Sequence, residues 1–310
     1  MDSDFKNEKD IVTEKNTIPE VSIIIPAYRE EDGIADVLER VRGIMDVRGG
    51  SYEIVVVDDG SDDATAEKAG ESGARVISHP YNIGNGAAIK TGVRNAQGEI
   101  LVMLDGDGQH DPEDIPRLLE RIGLYDMVVG ARTKKSEASL HRRLANIIYN
   151  LFATFMCGFK IEDLTSGFRA IKAEVARRLV YLLPNTFSYP TTITLAVLRS
   201  GYSLGYIPIN AKKRVGKSKI KLLRDGSRFF FIIIRIATLF SPMRIFLPVS
   251  MLMFFSGLGY GLYRIFIEGT RYGPTSAMLM VMAVVIFMVG LVSEQVAQLR
   301  FDRNDPHDNR

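Results

Sequence analysis

The stretch "LDGDGQHDP" (104–112) sets Asp105, Asp107 and Gln109 at intervals of two, with Gly106 and Gly108 between them. Carboxylates two apart on an extended chain point the same way. Held that close, they resist joint ionisation unless a cation lies between them. A hard divalent ion, Mg2+ or Mn2+, resolves the conflict and keeps positions open for phosphate oxygens. Gln109 adds a neutral oxygen on the same side, and the glycines let a bulky ligand approach the backbone. His110 follows directly; a single histidine in a polar loop is more often hydrogen-bonded or solvated than ligating.

The elements that must carry these residues are legible around them. Short β-branched runs occur at "VSIII", "YEIVVV", "ARVIS", "EILVML" and "DMVVG" within residues 21–131. Between them lie amphipathic patterns, "EDGIADVLERVRGIM", "DATAEKAGESG", "NGAAIKTGVRNA" and "PEDIPRLLERI". This alternation predicts an α/β domain with a parallel sheet covered on both faces. Such sheets bind ligands at the carboxyl ends of their strands. The polar motifs fall there: "PAYREE" after the first run, "DDGSDD" after the second, "DGDGQHD" after the fourth. Asp58 and Asp59 also suit a capped turn with Ser61.

The C-terminal third has a different composition. Ile245–Tyr263 carries no charge over 19 residues, and Tyr272–Ser293 none over 22. Each run is long enough to cross a hydrocarbon core of about 30 Å at about 1.5 Å per residue. The basic residues of 212–244, with Arg300 and Arg303 in the tail, assign both ends of this hairpin to the cytoplasm. Ser227–Arg244 mixes Arg228, Arg235 and Arg244 with Phe and Ile, the pattern of a helix lying in the membrane interface. As a third span it would bury Arg235 near its middle. The expected layout is a flexible leader over 1–20, a cytoplasmic head over 21–225 and an interfacial helix over 226–242. A hairpin over 243–298 (spans about 245–265 and 273–293) and a cytoplasmic tail over 299–310 complete it. The leader lacks the apolar centre of a signal peptide. The net charge of +2 points to no partner, and Cys157, the only cysteine, excludes an intrachain disulfide.

"PAYREE", "VVVDDGSDD", "NIGNGAAIKTG" and "LDGDGQHDPEDIP", in this order, resemble family 2 glycosyltransferases of the GT-A fold. "LTSGFRAIK" (164–172), "RVGKSK" (214–219) and the hairpin narrow the resemblance to the polyprenyl-phosphate glycosyltransferases, the group of dolichyl-phosphate mannose synthases and bactoprenol glucosyltransferases. The resemblance implies a Rossmann-like, mostly parallel sheet with helices on both faces. It implies that Pro26, Tyr28, Glu30, Val57, Asp58 and Asp59 surround the base and ribose of a nucleotide sugar, with Gly106 beside them. Asp105, Asp107 and Gln109 would hold Mg2+ or Mn2+ on the donor diphosphate, and Arg214 and Lys217 would close over it. Arg132 would meet the phosphate of the lipid acceptor, with Arg142 or Arg143 and Asn146 as further contacts. Ser166 and Arg169 would shape the acceptor cleft, Gly167 serving a tight turn. Asp107, Arg132 and Arg169 are the expected catalytic set.

The implied reaction is inverting transfer of a hexose from UDP-glucose, UDP-N-acetylglucosamine or GDP-mannose to dolichyl or undecaprenyl phosphate. A phosphate monoester is already anionic near neutrality, its second pKa being about 6, so the attack needs no general base. Processive polysaccharide synthases share the early motifs, but their acceptor motif needs a tryptophan and this chain has none. Two alternatives remain: a non-catalytic membrane nucleotide-sugar sensor or glycolipid-flipping subunit, and a transferase with a non-lipid acceptor. Nucleic acid is not an expected partner. Self-association is compatible with the glycines of "FFSGLGYG" (254–261).

Overall fold

The computed structural model describes residues 18–133, 140–186, 189–210, 240–269 and 271–302. Seven strands form one sheet: β1 (Val21–Ala27), β2 (Tyr52–Asp58), β3 (Arg75–Ser78), β4 (Ile100–Met103), β5 (Met127–Arg132), β6 (Arg169–Lys172) and β7 (Leu204–Ile209). Their order is β3-β2-β1-β4-β6-β5-β7. The pairs β1–β2, β1–β4, β2–β3 and β5–β7 are parallel. β6 runs antiparallel to both its neighbours, β4 and β5. The sheet is therefore mixed but mostly parallel: β1 to β5, the strands within residues 21–131, run the same way as the alternation predicts, and the reversed strand β6 lies beyond them.

The continuous apolar runs follow from burial on both faces. Every residue of β1 is buried; Ile23 and Ile25 join one core cluster while Ile24 joins the other. On one face lie α1 (Ile34–Arg48) and α4 (Ile115–Ile122), contributing Leu38, Val41 and Leu118. On the other lie α3 (Asn85–Asn95), α5 (Leu140–Cys157), α6 (Ala173–Leu179) and α7 (Tyr189–Arg199), contributing Ile89, Tyr149, Val175 and Ile193. The short α2 (Thr65–Glu71) connects β2 to β3.

Two long helices, α8 (Met243–Phe266) and α9 (Pro274–Asp302), follow the sheet domain and pack on each other. Both are long and apolar enough to cross a membrane. Their contact is close at glycine. A Cβ on Gly257 would stand 2.9 Å from Leu279 Cβ, and one on Gly290 would stand 2.6 Å from Phe246 Cβ. Gly257 and Gly261 of "FFSGLGYG" thus serve packing inside the hairpin itself, Gly261 against the Tyr272 ring. The hairpin is tied to the head. Phe240, just before α8, is buried in the head's core, a burial that contributes about 1.5–3 kcal/mol. Glu294 of α9 accepts from Arg199 of α7 at 2.9 Å and from the Met243 backbone at 3.2 Å. The expected interfacial helix falls on residues 226–239 outside the described residues, as do most of the leader and of the tail.

Candidate functional site

The carboxyl ends of β1, β2 and β4 open on a cleft of about 360 Å³. Pro26, Tyr28 and Glu30 line one wall, and Asp105, Gly106 and Asp107 another. Ala27, Asp59, Asn82, Gly84, Asn85 and Ala88 complete it. The first wall is tied to the segment after β2 by bonds between motifs. Arg29, at φ 55°, is in the left-handed region that a non-glycine residue seldom adopts. Its backbone N–H donates to Ser61 Oγ at 3.0 Å, its guanidinium forks onto Asp62 at 2.6 and 2.7 Å, and the Glu30 N–H donates to Thr65 Oγ1.

Asp58 and Asp59 are both buried but do different work. Asp58 Oδ1 accepts from the Ser61 N–H at 3.2 Å, the capped turn. Asp59 lines the cleft, and its oxygens accept from the Ile83 and Gly84 N–H groups at 3.0 and 2.8 Å. His79 Nδ1 lies 2.7 Å from Asp59 and its Nε2 2.9 Å from Thr91 Oγ1 of α3. Val57 is fully buried with Val55 and Ala88, so its side chain supports the floor of the cleft and is absent from its lining. The sequence reading assigned no role to His79, nor to Asn82, Gly84 and Asn85. "NIGNGAA", with its paired glycines, held the signal for the last three.

The acidic motif is a turn. β4 ends at Met103, and Gly108 takes φ 68°, so Asp105 and Asp107 do not sit two apart on an extended strand as expected. The turn still brings both carboxylates to the cleft. Gln109 does not line it; its backbone N–H donates to Asp107 Oδ1 at 3.1 Å. Gly106 is close-packed, since a Cβ there would stand 3.2 Å from the Pro26 carbonyl, whereas Gly108 answers to its backbone angle. Burial raises the pKa of Asp105; His110 pulls it back, Asp107 pushes it further up, and Arg169 and Arg132 pull it down. His110 is buried, stacks on Phe168 at 5.3 Å, and holds Nδ1 3.8 Å from Asp105 Oδ2.

The reversed direction of β6 brings a second group to this edge. Met103 pairs with Arg169, and the same antiparallel count sets Gly167 against Asp105. A Cβ on Gly167 would stand 2.4 Å from Asp105 Oδ2. This glycine is required by close approach, not by the tight turn expected for it. Arg169 is fully buried; its Nη1 donates to the Pro190 carbonyl and Thr194 Oγ1 at 3.0 and 3.2 Å, and Nη2 to the Ser166 carbonyl. Arg132, at the end of β5, forks onto Asp163 at 2.8 and 2.9 Å and also donates to Thr165 Oγ1. Burial would raise the pKa of Asp163, but bonding and charge from Arg132 lower it on balance. The sequence reading missed Asp163. Among the described residues, His110 Nδ1, Ser166 Oγ and Arg169 Nε are buried without a hydrogen-bond partner, the condition of groups awaiting a ligand or water. The side chains of Arg142, Arg143 and Asn146, and the whole of Arg214 and Lys217, lie outside the described residues.

Among the described residues no three of His, Cys, Asp and Glu converge as a closed metal site. The donors present, two carboxylates in an open cleft, fit a hard divalent ion that completes its shell from phosphate oxygens and water.

The model of glycosyl transferase family 2 matches residues 22–180, more than half of the chain. The chain belongs to glycosyl transferase family 2. Residues 241–299, which hold α8 and most of α9, match a second model, the GtrB C-terminal hairpin. Among relatives of this family 2 protein is a dolichyl-phosphate hexose transferase of Haloferax volcanii. It is 31% identical over 214 residues, 68% of this chain and 91% of the relative. An undecaprenyl-phosphate 4-deoxy-4-formamido-L-arabinose transferase of Pseudomonas fluorescens is 32% identical over 257 residues, 77% and 70%. A solved structure of glucosyl-3-phosphoglycerate synthase from Mycobacterium tuberculosis, in complex with Mn2+ and UDP-glucose, shares the fold. Its TM-score is 0.56 at 20% identity, covering 71% of this chain and 78% of that one. The family 2 fold here is thus a mostly parallel GT-A-like sheet with helices, followed by an apolar hairpin.

Proposed function

We propose that this family 2 protein transfers a hexose from a nucleotide sugar to a polyprenyl phosphate at the cytoplasmic face of a membrane, inverting the anomeric centre. One observation carries the reading: an acidic cleft at the strand ends and a membrane hairpin belong to one chain and are joined at Glu294 and Phe240. On this reading residues 21–225 are the catalytic head and 243–298 the anchor.

The donor's base and ribose lie against Tyr28, Glu30 and Asp59, with its diphosphate towards Asp105 and Asp107. Those two carboxylates, with Gln109 as a further oxygen donor after a side-chain rearrangement, would hold Mg2+ or Mn2+, whose charge stabilises the departing diphosphate. Arg132 orients the acceptor phosphate. Its planar fork suits phosphate oxygens, and Asp163 fixes the plane of that fork before the acceptor arrives. A phosphate oxygen attacks the anomeric carbon as the bond from that carbon to the diphosphate breaks, the electron pair leaving with the nucleoside diphosphate. No proton has to be removed from the attacking group. Arg169 is completely buried, so it acts as a positioning residue under Ser166. Arg142, Arg143, Asn146, Arg214 and Lys217 keep their proposed phosphate contacts on sequence grounds.

The test is to incubate the purified full chain with polyprenyl phosphate, Mg2+ or Mn2+ and a panel of UDP-glucose, UDP-N-acetylglucosamine and GDP-mannose. A charged glycolipid and free nucleoside diphosphate are expected with one donor. Tight donor binding without transfer across the panel would replace this reading with the sensor.

A further inference from the structure

Asp59, Asn82, Gly84 and Asn85 share one side of the cleft, and a single carboxylate holds that side together. Asp59 Oδ1 takes two donors, His79 Nδ1 at 2.7 Å and the Ile83 N–H at 3.0 Å. Its Oδ2 takes one, the Gly84 N–H at 2.8 Å. An ionised carboxylate only accepts, and each of its oxygens offers about two lone-pair sites. His79 Nδ1 is therefore the donor in its contact, and Oδ1 is saturated. Oδ2 keeps one site for a ligand.

The ring that fills Oδ1 is itself gripped. Its Nε2 stands 2.9 Å from Thr91 Oγ1 of α3, and the His79 backbone N–H donates to the Asp58 carbonyl at 2.8 Å. His79 is almost covered and does not line the cleft, so it acts on Asp59 from behind. The Asp59 N–H donates to the Ala27 carbonyl at 2.9 Å. Gly60, at φ 71°, lies against the next loop, where a Cβ would stand 2.4 Å from the Tyr81 carbonyl carbon. The carboxylate cannot turn without breaking several of these bonds.

That asymmetry discriminates between bases. Guanine presents two adjacent donors, N1–H and N2–H, which a carboxylate takes as a fork with both oxygens turned towards them. Uracil presents one, N3–H, between two carbonyls. Asp59 has one oxygen to give. Uracil's carbonyls need donors, and Asn82 and Asn85 line the same side with amides that make no hydrogen bond among the described residues. We infer that His79 is a positioning residue that commits Asp59 to a single-acceptor geometry and thereby selects a uracil nucleotide over a guanine nucleotide as donor. The inference rests on the proposed seating of the donor's base at Asp59. Guanine in that seat leaves an N–H without an acceptor beside a buried carboxylate, a loss of roughly 10–100-fold in affinity.

The test is titration calorimetry on the purified full chain with Mg2+, using UDP and GDP as probes. The wild type is expected to bind UDP about 10–100-fold more tightly than GDP. His79→Asn, whose Nδ2 replaces the Nδ1 donor, should keep most of that ratio. His79→Ala releases the carboxylate, and the ratio should fall severalfold. Thr91→Val, which frees only Nε2, should lower it less. A general defect of folding would weaken both nucleotides in proportion and leave the ratio intact. GDP binding in the wild type as tight as UDP binding would overturn the selection. A ratio unmoved in His79→Ala would overturn the role of His79. Binding of neither nucleotide would remove the donor site itself, and the inference with it.

Discussion

Gly167 and Asp105 meet so closely that a side chain on the first displaces the carboxylate of the second. In Gly167→Ala the new methyl would displace the Asp105 carboxylate by about an ångström while leaving β6 paired. Transfer is expected to fall about 100-fold, the effect of a misplacement of that size. Steady-state rates with labelled donor measure this, and a thermal melt close to that of the wild type separates it from misfolding. Asp105 itself is held at a cost. Its folded pKa lies above that of an unfolded aspartate, first because of burial and then through Asp107. Its stabilising contribution is therefore complete below about pH 3.9, the unfolded value, and is lost as pH rises through the folded one. Above that folded value the ionised carboxylate weakens the fold. Asp105→Asn is expected to raise the melting temperature and to lower transfer on the order of 10²–10³-fold. Mn2+ should raise the melting temperature of the wild type more than that of the variant. A melting temperature that falls on substitution would refute the electrostatic account.

β6, like β7, is an element that sequence patterning did not reveal, and it assembles half of the site. β1, β2, β4 and β5 were legible because their central residues are apolar and buried on both faces, and the half-buried edge strand β3 because Val76 and Ile77 are β-branched. "RAIK" offers four residues with Arg169 and Lys172 at its ends, and its place between β4 and β5 is fixed by contacts distant in sequence. The acidic motif was legible as chemistry but not as geometry, since Gly108 bends residues that the spacing alone would leave extended. Asp163 escaped because nothing local couples it to Arg132, 31 positions away; the approach of β5 and β6 creates the pair. The pair tests that approach. Asp163 has a depressed pKa, so its stabilising contribution is present above about pH 3.9 and is lost as pH falls through the lower folded value. Asp163→Asn removes one charge of a part-buried pair, and a loss of about 2–4 kcal/mol is expected in urea unfolding near neutral pH. The gap to the wild type should narrow in acid. A gap that stays constant from neutral pH into acid would mean that the carboxylate's charge does not support the loop.

A head built on a sheet and a hairpin built for lipid must keep one orientation if a cleft on the first is to meet a molecule held by the second. The two apolar runs of the hairpin were plain in the sequence because charge is absent for about five turns of helix in one and about six in the other. The joint between them and the head was not, since it depends on single side chains from distant segments: Phe240 in the core, and Glu294 between Arg199 and the Met243 N–H. Arg199 is one-third exposed, and a pair of that exposure contributes about 1 kcal/mol or less. Its work is therefore orientation more than stability. Glu294→Ala is expected to leave the melting temperature within a few degrees of the wild type. With a long-chain polyprenyl phosphate in vesicles, turnover should fall severalfold, because the head can tilt from the position in which the cleft reaches the headgroup. With a short-chain, water-soluble isoprenyl phosphate in detergent, the same variant should turn over as the wild type does, since that acceptor finds the cleft at any tilt. Equal losses with both acceptors would place the defect in the cleft and would remove Glu294 from the joint.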